Sequence, residues 1–187
     1  FGIKKESPFL NRTKSVLTGK SEDMEHLYTI KKFPVKILCT YKNNSKDLKQ
    51  DLSFSICKTT GIVQLDNLIK PSVLYQNYHS EAIGGVWLKH HEEFVKLLGS
   101  LKLNDVFEIG GSNGIIAQKY LENNKTSIWT LVDIAPNAKE TSNLKIIQKD
   151  FQEVTIPKGA DIVHSHLFEH MLDPNDFLRK IHSSLDI

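Results

Sequence analysis

Residues 105–116, DVFEIGGSNGII, are built to end a strand, turn on glycines and restart as a helix. The largely apolar stretch 106–109 suits a buried parallel strand, and Gly110, Gly111 and Gly114 let the backbone turn sharply and come close to a ligand. Glu108 stands two residues before the first glycine, and Asp133 closes a second apolar run, 128–132, one βα unit later. Amides of such a turn, with those of the helix that follows, form a seat for a carboxylate or phosphate. A dinucleotide fingerprint would want glycines at 110, 112 and 115; the chain has Gly110, Ser112 and Ile115, a poor match to pyrophosphate.

Around this turn the hydrophobic period changes repeatedly. It predicts a strand to Ile109, a helix to about Leu121, a strand ending at Asp133, a short helix or loop, a strand over 144–148 and a strand over 161–165. Strands and helices alternating in this way argue for parallel βαβ units, an α/β Rossmann-like sheet. A last helix is signalled by Asp173 as N-cap and Pro174 at its first position, with Phe177, Leu178, Ile181 and Leu185 on one face. Upstream, Ile83, Val86, Trp87, Phe94, Leu97 and Leu98 recur at helical spacing and predict an amphipathic helix over 81–98, on which His90 and His91 read as interface or solvated residues. The first part is irregular, with apolar pieces at 33–38 and 52–56. Three segments result: a small strand-containing module over 1–80, a linking helix over 81–104 and the sheet domain over 105–187. Four strands are fewer than a doubly wound domain usually has, and the chain starts at Phe1 and stops just after a helical pattern, so a C-terminally truncated piece is expected.

Composition narrows the function classes. The 24 basic and 22 acidic residues are spread along the chain and leave a formal charge of +2, so no basic footprint marks nucleic acid or a membrane surface as partner. There is no membrane-length apolar run and no signal-peptide pattern, and a cytoplasmic protein is expected. Cys39 and Cys57 read as free thiols. Oligomeric state is not readable.

The carboxylates around the turn suggest a ligand. Glu108 suits a cationic amino group, Asp133 can accept both hydroxyls of a ribose, and Asp150 can accept from an adenine amino group with Phe151 beside the ring. Amino acid, ribose and adenine are the pieces of S-adenosylmethionine. Glu108-Ile-Gly-Gly-Ser-Asn-Gly114 is similar to the ExGxGxG loop of class I S-adenosylmethionine-dependent methyltransferases, with Ser112 in place of the middle glycine. The segment 161–174, with Glu169-His170 and Asp173-Pro174, resembles that family's fourth-strand region. The resemblance implies a cofactor site of Glu108, Gly110, Ser112, Gly114, Asp133, Asp150 and Phe151 and a small-molecule methyl acceptor.

A narrower likeness lies upstream. Cys57-Lys-Thr-Thr-Gly-Ile-Val-Gln-Leu65 and the segment 71–78 resemble the CxxCG-x-VQL and LY-x-x-Y segments of deoxysugar C-methyltransferases, whose N-terminal module binds zinc. Thr60 replaces the second cysteine, the zinc module reads as degenerate, and no metal is expected. The likeness implies a nucleotide-linked sugar carbon as acceptor, with His170, His166 and Tyr78 as catalytic candidates and Tyr75 and His79 in the segment that approaches substrate. Two other readings stand beside it. One is a non-catalytic binding module of the same fold; the other is a serine hydrolase, because 110–114 matches G-x-S-x-G with Ser112 as nucleophile.

Overall fold

The computed structural model describes residues 7–35, 48–74 and 84–185. The chain divides into two compact units, Phe1–Gln76 and Asn77–Ile187.

In the second unit β6 (Asp105–Ile109), β7 (Ile128–Asp133), β8 (Leu144–Gln148) and β9 (Asp161–His164) form a parallel sheet in the order β8-β7-β6-β9. Alternate residues of each strand serve opposite faces. Val106, Trp129, Leu131, Leu144 and Val163 meet Leu98 of α2 (Gly85–Leu101) and Ile116, Ala117, Tyr120 and Leu121 of α3 (Ile115–Asn123) on one face. Phe107, Ile109 and Val132 meet Phe151, Ile156, Ala160 and Phe177 on the other, with Phe177 supplied by α4 (Pro174–Ser184). Helices on both faces of a parallel sheet make this the α/β Rossmann-like architecture the periodicity predicts. Residues 134–143, expected as a short helix or loop, contain no helix.

The register sets the site. Ile109 pairs with Val132 on one side and His164 on the other, so the segments leaving β6, β7 and β9 emerge side by side at the carboxyl end of the sheet. In an open parallel sheet, ligands bind at that end, where the strand order reverses.

Two helices differ from expectation in their faces. α2 ends in a left-handed cap at Lys102, whose amide donates to Gly99 O, and it buries His91 and Leu98. Val86 and Leu97, placed on the apolar stripe from the sequence, are 84% and 54% exposed. The buried stripe runs instead through Trp87, His91, Phe94 and Leu98, at spacings of four, three and four. In α4, Asp173 accepts from the Asp176 amide and Phe177 is fully buried, but Leu178, one residue round the helix, is half exposed.

In the first unit, β2 (Met24–Pro34), β3 (Lys49–Cys57) and β4 (Val63–Leu65) form an antiparallel sheet, and β1 (Phe9–Asn11) pairs with β5 (Asn67–Ile69) ahead of the single-turn α1 (Pro71–Leu74). The apolar piece at 52–56 lies inside β3. Of the piece at 33–38, Phe33 and Pro34 end β2, and 36–38 lie outside the described residues. Most of β2 went unforeseen because irregularities at His26/Tyr28 and Ile30/Phe33 break its alternation. Among the described residues, no helix is long and apolar enough to cross a membrane.

Candidate functional site

The glycine turn is held by its surroundings more than by itself. Gly110, Ser112 and Gly114 all have positive φ, of 76, 48 and 68°, and Gly114 is the left-handed N-cap of α3. The Gly110 amide donates to Val132 O at 2.8 Å, the Ser112 amide to Asp133 Oδ2 at 2.9 Å, and Ser112 O accepts from the Asn137 amide at 2.9 Å. Main chain from β6 and from the β7 loop are thus stitched together. Gly111 is needed for a different reason: a Cβ there would stand 2.6 Å from Leu131 Cγ and 2.7 Å from Glu108 Cδ.

Asp133 is placed to serve the turn and a ligand at once. Its Oδ1 accepts from the Ala135 amide at 2.8 Å and its Oδ2 from Ser112, which leaves each oxygen one further lone pair. Asp150 lies nearby in the chain path, since the Lys149 amide donates to Asp133 O at 3.0 Å. Its Oδ1 caps the 3-10 turn Phe151–Glu153 through the Gln152 amide at 2.9 Å.

Two of the expected cofactor residues sit differently from the sequence reading. Glu108 is 2% exposed and lies beneath the turn, its Oε2 accepting from the Trp129 indole at 2.9 Å. Burial, with a smaller push from Asp133 and against the pull of the indole, raises its pKa to about 7. Phe151, read as an adenine neighbour, is turned into the core, 5.0 Å from the Phe177 ring, with Lys180 Nζ bonded to its carbonyl at 2.8 Å. An aromatic ring buried with Phe107, Ile109 and Val132 gains more from that apolar contact than from a half-wet position.

On the other side of the turn, the segment after β9 carries a group of histidines. Leu167 abuts Gly110, where a Cβ would meet its Cδ1 at 2.7 Å. His166 has φ of 50°, an uncommon conformation for a residue with a side chain, and its ring centroid is 4.7 Å from those of both Trp87 and His90. Its Nδ1 faces Glu169 Oε1 at 3.7 Å. His90 Nε2 lies 3.0 Å from Ser165 Oγ, which ties α2 to this segment. His170 is exposed on the 3-10 turn Phe168–His170 and makes no ring contact with the His166 group among the described residues. His164 packs edge-on against Phe177, and burial lowers its pKa.

His90 and His91, expected as interface or solvated residues, both pack against the protein, His90 on Ser165 and His166 and His91 in the interior. His91 is 6% exposed, its Nδ1 has no hydrogen-bond partner, and burial, then the charges of His90, Lys119 and His166, lower its pKa. Its position on the Trp87–Phe94–Leu98 stripe is the sequence signal of that burial. Tyr75, Tyr78, His79 and Cys39 lie outside the described residues. No histidine among the described residues is bonded to the Ser112 hydroxyl, so the arrangement a serine nucleophile requires is not assembled there.

In the first unit, Cys57 belongs to a pair of matching turns. Ser15 Oγ accepts from the Leu17 and Thr18 amides, both at 3.3 Å, and the Gly19 amide donates to Ser15 O at 2.9 Å. Around Cys57 the sulfur faces the Thr59 and Thr60 amides, and the Gly61 amide donates to Cys57 O at 2.7 Å. Gly19 and Gly61 share φ values of 71 and 72°. The Ser15 hydroxyl and Thr60 also donate to the Cys57 sulfur, and together these donors bring its thiol down to about 7. Ser15-x-x-Thr18-Gly19 is therefore a second copy of Cys57-x-x-Thr60-Gly61, with the spacing that in Cys-x-x-Cys form holds zinc. Three of the four ligand positions carry hydroxyls, a poor set for that ion, and among the described residues no group of three His, Cys, Asp or Glu is placed to hold a metal.

No family model and no curated protein matches the chain. Among solved structures it is similar to the plantazolicin methyltransferase BpumL in complex with a monoazolic desmethylPZN analog and SAH, at 16% identity and a TM-score of 0.44 over 54% of this chain and 42% of that one. It is also similar to the plantazolicin methyltransferase BpumL in complex with SAH, at 17% identity and a TM-score of 0.42 over 50% and 39%. The chain covers less than half the length of either structure.

Proposed function

We propose that the chain binds S-adenosylmethionine at the turn after β6 and transfers its methyl group to a small molecule. The observation that carries this reading is the Ser112–Asp133 bond: a glycine turn and a strand-end carboxylate are fixed together at the carboxyl end of the sheet, on the β7 side of the β6/β9 junction where the strand order reverses. Asp133 keeps acceptor capacity for two ribose hydroxyls, the cofactor's carboxylate falls to the Gly111 and Asn113 amides that the turn's own bonds leave over, and Asp150 offers its remaining acceptor capacity to the adenine amino group. The Phe151 ring, packed on Phe177 in the core, is not what the adenine rests on in this reading. When bound, the cofactor supplies an electrophilic methyl on a sulfonium.

The acceptor side is formed by the segment 165–170 against α2. A carbon acceptor beside a carbonyl must lose a proton, and His166, with Nδ1 toward Glu169, is assigned to take it; His170 and Tyr78 are the further candidates. His90 would position His166 by fixing the neighbouring Ser165. The likeness of 57–65 and 71–78 to deoxysugar C-methyltransferases favours a nucleotide-linked sugar carbon as the acceptor class.

The test is calorimetric titration with S-adenosylhomocysteine, with Asp133→Ala as control. Saturable one-to-one binding that weakens at least about tenfold in the variant is expected, the size of one lost charge-assisted hydrogen bond. Absence of binding to the folded, unmodified chain would overturn the reading.

A further inference from the structure

Glu108 lies under the turn, packed with Leu131 against the Gly111 main chain: its carboxyl carbon is 2.7 Å from where a Gly111 Cβ would stand. Among the described residues its hydrogen-bond partner is the neutral Trp129 indole, and no cation pairs with it. The charged groups around it are few. From β7 comes Asp133, a like charge. The helices on that face bring His91 of α2 and Lys119 of α3, and those two act on each other, with burial and Lys119 both disfavouring a charge on His91. From β9, His164 packs on the opposite face against Phe177.

A carboxylate so enclosed is costly to ionise, because desolvation is not offset by a counter-charge. Its ionisation is accordingly displaced to about 7, where small changes in local charge decide its state. A positive centre settling on the turn attracts the anion and does nothing for the neutral acid. S-adenosylmethionine carries such a centre at sulfur; S-adenosylhomocysteine, a thioether, does not. Their α-amino and carboxylate groups are shared, so the sulfonium is the difference.

We propose that Glu108 reads the charge of the bound cofactor, holding its proton less tightly when the sulfonium form is seated than when the thioether form is. The inference rests on the cofactor reading above. The change is Glu108–COOH to Glu108–COO⁻ plus a proton passed to buffer, and no other bond is altered. Methyl transfer removes the sulfonium charge, Glu108 then regains a proton, and the seat loses its preference for what it holds. Glu108 is in this sense a specificity-determining residue that favours substrate over product.

The experiment is titration calorimetry of the full chain with each ligand, in two buffers of different ionisation heat, from pH 6 to pH 9. At pH 7 S-adenosylmethionine should release up to about half a proton more than S-adenosylhomocysteine, and this difference should fade by about pH 9, as expected for one group titrating near 7. The ratio of the two affinities should rise by up to about tenfold from pH 6 to pH 8 for the same reason. Glu108→Gln, which keeps an oxygen for Trp129, should flatten both. Equal proton release by the two ligands in the unmodified chain overturns the proposal even if the variant fails to fold. A difference that survives in a folded Glu108→Gln variant overturns it as well. If neither ligand binds, the cofactor reading itself falls and takes this one with it.

Discussion

Ser112 and Asp133, 21 positions apart in sequence, meet through a 2.9 Å bond from the Ser112 amide to Oδ2, and Oδ1 of the same carboxylate takes the Ala135 amide at 2.8 Å. One side chain thereby fixes both main-chain segments that flank the proposed ribose position. Sequence reasoning placed Asp133 as a ligand for the cofactor; the geometry adds that it shapes the turn even before a ligand arrives.

Asp133→Ala should therefore cost stability as well as affinity. Two partly buried amides lose their acceptor, and a loss of about 2 kcal/mol is expected from typical penalties for unsatisfied groups. Denaturant unfolding of the variant checks this. A stability unchanged from the parent would mean that the carboxylate does not organise the turn.

Gly111 and Gly99 make a matched pair of opposite sign. Ala at 111 would press on Leu131 and Glu108 at 2.6 and 2.7 Å, inside a packed region, and should destabilise by about 1–3 kcal/mol. Ala at 99 meets nothing within 4 Å on α2 and should stabilise by about 0.5–1 kcal/mol, as in any exposed helix interior. Paired melting curves read both, and a Gly111→Ala variant as stable as Gly99→Ala would contradict the close packing beneath the turn.

The parallel sheet was legible because its strands are short apolar runs bounded by turn residues, and the start of α4 because Asp173 and Pro174 are a strong pair of signals. β2 was not, since its bulges scramble the two-residue period and leave Leu27 and Tyr28 exposed. Side-chain direction explains the remaining differences. Phe151 follows Asp150, a plausible ligand, yet its ring turns to Phe177; Glu108 looks like a free carboxylate until Trp129, on the neighbouring strand, is found bonded to it. His91 was hidden by its polar name, although an imidazole ring packs much as an aromatic does. The 15–19 turn was hidden because Ser-x-x-Thr-Gly lacks the thiols that make its twin at 57–61 recognisable.

That twin relationship leads to a prediction about metal. Ser15 and Cys57 already touch, and each receives two amides in the same pattern. Replacing Ser15, Thr18 and Thr60 with cysteine should create a tetrahedral four-thiolate site that takes one zinc, or one cobalt with visible absorption bands characteristic of tetrahedral thiolate coordination. The unmodified chain serves as the control. A triple variant that folds but leaves cobalt in its octahedral aqueous form would show that the two turns do not converge on a common point.

Acid should loosen the second unit through His91. Its folded pKa is depressed below the ordinary 6.5, so below that value the unfolded chain takes up a proton that the folded chain refuses. With more protons bound in the unfolded state, stability rises with pH across this window; it is fully present above about 6.5 and is lost as pH falls toward the folded value. His91→Leu removes the titrating group and also the Nδ1 that lacks a partner. Its dependence of stability on pH between 5 and 7 should therefore be shallower than the parent's by up to one proton's slope, about 1.4 kcal/mol per pH unit. Chemical unfolding at pH 5, 6 and 7 for both proteins supplies the comparison, and parallel curves would remove His91 as the source of acid sensitivity.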